Sequence, residues 1–144
     1  MIEQDTVRLL RECDAGIKMG IASIDDVLPK VESQRFYDAL TQCKSEHEEL
    51  QGQIQSLLGD YKDKGKNPNP VASAMSKMKT NMKLMMDESD STVAQLMTDG
   101  CNMGVKSLNK YLNQYKAADE RSKDITKRLI HLEEKLTKDA SHYL

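Results

Sequence analysis

The sequence predicts an all-α protein, an up-down four-helix bundle with a long crossover that carries a short fifth helix. Three observations predict it. Apolar residues recur at threes and fours along four long stretches, the period of an amphipathic helix and not of a strand. Of the 144 residues, 31% are charged and 38% hydrophobic, with no Trp, one Phe and three Pro, so aromatic strand formers and helix breakers are both scarce. Finally, two of the joints between these stretches are short and one is long.

The first helix is expected over residues 2–28, where Val7, Leu10, Asp14, Ile17, Ile21, Ile24 and Leu28 follow one face and Pro29 marks the end. The second, over residues 31–62, repeats the pattern with Phe36, Leu40, Cys43, His47, Leu50, Ile54, Leu57 and Tyr61. So short a joint makes the two an antiparallel hairpin. The run "KDKGKNPNP" then breaks any helix through Gly65, Pro68 and Pro70. A shorter helix is expected over residues 71–86, with Val71, Met75, Met78, Met82 and Met85 as its apolar seam and Lys77, Lys79 and Lys83 around it. A helix that links two longer ones is expected to pack that seam on the bundle and turn its lysines to water.

"DESDS" supplies caps for the third long helix, over residues 90–116, which carries Val93, Leu96, Met97, Gly100, Cys101, Gly104, Leu108, Tyr111, Leu112 and Tyr115 on one broad face. Asp119 can cap the last helix, over residues 119–142, whose seam is Ile125, Leu129, Leu132, Leu136, Ala140 and Tyr143. His131 and Glu134 fall on its solvent side. The connection from residue 62 to 89 decides the topology, since adjacent antiparallel hairpins need only a few residues there. Extended chain at about 3.3 Å per residue and helix at about 1.5 Å per residue together span a helix of about 40 Å, so the third long helix begins at the far end of the bundle.

The whole chain, residues 1–144, is read as one domain. Its net charge of -2 offers no general attraction for nucleic acid, and none is expected as a partner. No apolar run approaches the roughly 20 residues of a membrane span, and "MIEQDTVRLLRECD" has no apolar core of signal-peptide length. Cys13, Cys43 and Cys101 are widely spaced and odd in number, which suits reduced thiols. A cytoplasmic protein is the expectation.

Taken together, the helical spacing, the first hairpin, the long crossover with its short helix and the second hairpin resemble the ferritin-like superfamily, in particular its small bacterial families. The resemblance covers nearly the whole chain as an architecture. It implies iron or manganese held by a Glu from each of two helices and a Glu-x-x-His from each of the others. If residue i of the first helix stands level with about residue 61 minus i of the second, Asp14 faces His47. Both interrupt apolar seams, and a polar group in such a place needs a partner. The metal reading makes Asp14 a carboxylate ligand and His47 an imidazole ligand, with Glu46 adding an oxygen and Cys101 nearby. The plainer reading pairs Asp14 with His47 and leaves the rest of "KSEHEELQ" a solvated acidic face. There is no Glu-x-x-His in the chain, and Gly100, Cys101 and Gly104 stand where the third long helix would carry a ligand Glu. Any metal site is therefore a reduced one.

Gly16 and Gly20, and Gly100 and Gly104, are each four apart, and each glycine inside a helix costs about 1 kcal/mol relative to alanine. They predict close approach of the first and third long helices, or else a small cavity beside Asp14 and His47. The function expected is that of a non-catalytic structural or interaction module without a cofactor. Its first expected partner is a second copy, through exposed Tyr111 and Tyr115 near one end; an acidic partner or surface at the Met- and Lys-rich helix 71–86 comes second. The alternative function is a metal-binding ferritin-like protein or oxidase using iron or manganese around Asp14 and His47.

Overall fold

Five helices account for most of the computed structural model, which describes residues 2–144 and has no strand among them. They are α1 (Ile2–Val27), α2 (Gln34–Asp60), α3 (Pro70–Met86), α4 (Asp90–Gln114) and α5 (Glu120–Ala140). Short 3-10 turns follow α1 at Leu28–Lys30 and α5 at Ser141–Tyr143. Side-chain caps explain where four of the helices start. Ser33 accepts from the Phe36 amide, Asn69 from those of Val71 and Ala72, Ser89 from Thr92 and Asp119 from Ser122. Where α2 ends, the Asp63 amide reaches the Leu58 carbonyl and the Lys62 amide the Gly59 carbonyl, a Schellman closure that holds Lys62 at φ 56°.

Tie points at the two ends give the helix directions. The carboxylate of Asp90, in the first turn of α4, accepts from the backbone amides of Glu32 (2.8 Å) and Ser33 (2.9 Å) just before α2. At the opposite end, Asp5 and Thr6 of α1 accept from the amides of Ala117 (3.0 Å) and Asp119 (2.8 Å) just before α5. So α2 and α4 start at one end, and α1 and α5 at the other. Between them α3 traverses the molecule, as the long connection requires. The Phe36 and Tyr143 rings, stacked at 4.3 Å, close the first end.

The four long helices enclose two apolar clusters stacked along their length. One gathers Ile24, Val27, Phe36, Leu40, Val93, Met97 and Leu136; the other gathers Leu9, Leu10, Ile17, Leu50, Ile54, Leu108 and Leu129. Burying side chains of this size stabilises by roughly 1.5–3 kcal/mol each. Tyr111 and Tyr115 are half-buried against the second cluster and stack on each other at 6.2 Å, so they are not the exposed pair expected of them.

The largest departure from expectation is α3. Its seam does not pack on the neighbouring helices: Val71, Met75, Met78, Met82, Met85 and Met86 keep between 58% and 86% of their surface exposed. Leu84, on the opposite side, is its one buried residue, and Ser73 and Thr80 are half-buried beside it. The expectation assumed that the link must lay its whole seam on the core, but α3 gives the first cluster only Leu84, and α1, α2, α4 and α5 supply the rest. Leu84 sets which side of α3 meets the bundle, and both ends of the helix are tied. The preceding segment is bonded to α1, and at the far end Asp87 accepts from Ser89 and Thr92.

Candidate functional site

Between the two apolar clusters lies one layer without apolar side chains at its centre, to which each long helix contributes one residue: Gly20 of α1, His47 of α2, Gly104 of α4 and Glu133 of α5. The His47 ring is fully buried, and its Nδ1 donates to the Cys43 carbonyl at 2.8 Å, the turn before it in α2. Its Nε2 stands 2.8 Å from Glu133 Oε1. With the Nδ1 proton directed at a carbonyl, the Nε2–Oε1 contact holds one further proton, and the raised pKa of His47 places it on the ring. Burial works against the charge, but the hydrogen bonds to Cys43 and Glu133 and the carboxylate's field outweigh it and raise the His47 pKa to about 10.

The glycines make room for this pair. A Cβ on Gly20 would stand 3.2 Å from His47 Nε2, and one on Gly104 3.4 Å from Glu133 Oε2. Gly16 and Gly100 have nothing within 4 Å of such an atom. The glycine pairs therefore do not bring α1 and α4 into backbone contact; Gly20 leaves room for the His47 ring and Gly104 for the Glu133 side chain. Two thiols border the layer. Cys43 Sγ lies 3.5 Å from His47 Nδ1, and the Cys101 thiol is pushed well above its ordinary pKa, first by burial and then by the Glu133 carboxylate. Farther along α1, Cys13 bonds Thr126 at 3.2 Å and is pushed up to about 12, mainly by burial. All three thiols are buried and form no disulfide.

Asp14 is not part of this layer. Gly20 faces His47, and Asp25 bonds Lys44 at 2.7 Å, so residue i of α1 stands level with about residue 67 minus i of α2. The difference from 61 has a geometric cause: the chain keeps rising through the turn at Leu28–Lys30, and Val31 to Ser33 are spent crossing the roughly 10 Å between the two axes. Asp14 consequently lies about 9 Å along α1 from the level of His47. Its Oδ2 accepts instead from Lys18 Nζ (2.8 Å) and from the Lys66 amide (3.0 Å) in the segment between α2 and α3.

That segment is strapped to α1. Arg11 donates to Asp63 (2.8 Å) and to the Gly65 carbonyl (3.0 Å), Lys18 donates to the Lys66 carbonyl (3.3 Å), and Lys66 pairs with Glu12. Gly65 sits at φ 90° with its Cα against the Asp14 carboxylate, where a Cβ would collide with Oδ2. Asp14 is thus the buried anchor of the crossover, with its second oxygen, Oδ1, unpaired.

Glu46, the third expected ligand, accepts from Gln42 at 3.4 Å and lines a narrow crevice of about 50 Å³ between α2 and α5 with Cys43, Leu132 and Leu136. Asp14, Glu46 and His47 are not brought together, and among the described residues no three His, Cys, Asp or Glu side chains gather as a metal-ligand group. The residue missing from the sequence reading is Glu133. Its signal was present: it follows Leu129 by four and precedes Leu136 by three, the one charged position in the buried stripe of Ile125, Leu129, Leu136 and Ala140.

No protein-family model matches this chain, and no curated protein or solved structure matches it either. No helix among the described residues is long and apolar enough to cross a membrane.

Proposed function

We propose that the chain is a four-helix bundle of ferritin-like connectivity that works as an interaction module, with α3 as its docking element. One observation carries this reading. In an ordinary surface helix the apolar face turns to the core, and α3 presents it outward along its whole length. A row of exposed apolar side chains this long is where a partner is expected. Methionine suits the task, because its unbranched and polarizable side chain adapts to varied surfaces.

The interior supports the same reading. His47 and Glu133 are turned toward each other, and Asp14 toward the strap, so the buried titratable groups hold the bundle's internal geometry. A polar layer of this kind sets register between helices, because any slip leaves a buried charge without its partner.

Methionine oxidation in the free protein tests the proposal. With dilute peroxide and peptide mass spectrometry, Met75, Met78, Met82, Met85 and Met86 are expected to oxidise at the rate of free methionine, and the buried Met97 far more slowly. Protection of the α3 methionines equal to that of Met97 would mean that the face is covered by the bundle itself, and the reading would fall.

A further inference from the structure

We propose that the partner of α3 is an anionic lipid surface, on which the helix lies parallel to the bilayer with its methionines inserted. The proposal rests on α3 being a docking element and adds what it docks to. Three features carry it.

The first is charge. Residues 62–86 contain six lysines and one acidic residue, Asp63, in a chain whose net charge is -2. Asp63 is bonded to Arg11, and of the lysines only Lys66 has a carboxylate partner, Glu12. Lys62, Lys64, Lys77, Lys79 and Lys83 make no ion pair among the described residues. The acids that follow are engaged: Glu88 pairs with Lys30, Asp87 bonds Ser89 and Thr92, and Asp90 holds the amides before α2.

The second is the arrangement of that charge round the helix. At about 100° per residue, Lys79 and Lys83 lie about 80° and 120° to one side of the methionine stripe, and Lys77 about 120° to the other. Lysines so placed extend their stems past the apolar face and put their ammonium groups at the level of lipid phosphates, with the apolar face buried between them. Ser73, Thr80 and Leu84 point the opposite way, toward α1 and α4, so the bundle rides above the surface.

The third is shape. The helices packed on α3 are α1 and α4, both on its inner side, so the methionines form a ridge and not a groove. A ridge needs a partner that yields around it, and the bilayer interface does. A second copy of the chain is a poor occupant. Two α3 helices face to face bring lysines against lysines with no acidic residue within Pro70–Met86. Elsewhere among the described residues the exposed large apolar side chains are the scattered Ile2, Tyr37, Tyr61, Met103 and Leu144, too far apart in the sequence and singly placed to form a receiving stripe.

The test is co-sedimentation of the full chain with vesicles of phosphatidylcholine alone and of phosphatidylcholine mixed with phosphatidylserine, with methionine oxidation read in the same samples. Binding is expected to the mixed vesicles only, to fall by about fivefold for each lysine replaced by glutamine, and to disappear once salt shortens the Debye length to about 3 Å. Met78→Glu with Met82→Glu, at exposed positions that leave the fold intact, is expected to abolish it. On the mixed vesicles Met75, Met78, Met82 and Met85 become protected from oxidation while Met103 stays reactive. Equal binding to both vesicles, no binding at low salt, or binding that survives the double variant overturns the lipid assignment. So does a concentration-dependent dimer in sedimentation velocity that the double variant dissolves, which would put a second copy on the face. Failure with the α3 methionines still open in the free protein leaves the docking reading intact and points to a protein partner. Methionines already protected in the free monomer would remove both.

Discussion

At the residue scale the informative positions are those where one side chain's chemistry is decided by another helix. His47 carries a charge because Glu133 faces it, and its pKa is raised from 6.5 to about 10. A group that binds its proton more tightly when folded stabilises fully below its unfolded pKa, and that contribution fades as pH rises through the folded value. Wild-type stability in urea should therefore decline by at least about 1 kcal/mol between about pH 7 and pH 10 relative to Glu133→Gln, in which an amide donates to a neutral ring. Parallel profiles for the two proteins would refute the imidazolium. The glycines separate in the same way. Gly16→Ala and Gly100→Ala, where a Cβ meets open space, should each stabilise by about 0.5–1 kcal/mol. Gly65→Ala should cost at least about 1 kcal/mol, since it combines a left-handed φ with a collision at Asp14; chemical denaturation of the three variants checks the signs. Asp14 and His47 were legible from sequence as buried polar residues, because each interrupts an apolar stripe. Their partners across the fold, Lys66 and Glu133, were not legible, because these lie on other elements.

Among the elements, helix positions were readable to within a few residues. Period and caps are local properties, and Ser33, Asn69, Ser89 and Asp119 each bond within three residues of themselves. The direction in which α3 turns its apolar face is not local. It depends on Leu84 finding a place in the first cluster and on the strap that ties Asp63–Asn67 to α1. If the face is free, Met78→Glu with Met82→Glu should move the unfolding free energy by no more than about 0.5 kcal/mol, whereas Leu84→Ala should cost about 2 kcal/mol or more. A large loss in the first variant would place the methionines on the bundle. Lys62, held at φ 56° in the α2 closure, should gain about 1 kcal/mol on replacement by glycine, readable as a higher urea midpoint.

For the whole molecule, the two apolar clusters and the layer between them make one cooperative body in which Cys13, Cys43 and Cys101 are all buried. Native-state labelling with a neutral thiol reagent should then modify all three at a single slow rate that follows global stability across the glycine variants above. A thiol labelled much faster than the others would show that its end of the molecule opens separately. The all-helical class, the number of helices and the long crossover followed from the sequence alone, because periodicity, capping and the reach of a chain are set by nearby residues. The tertiary structure alone decided the register of α1 against α2, the pairing of His47 with Glu133, the role of Asp14 as anchor and the outward face of α3. Each of these depends on how a turn spends its rise and on which distant groups compete for the same hydrogen bond, and no spacing within one helix carries that information.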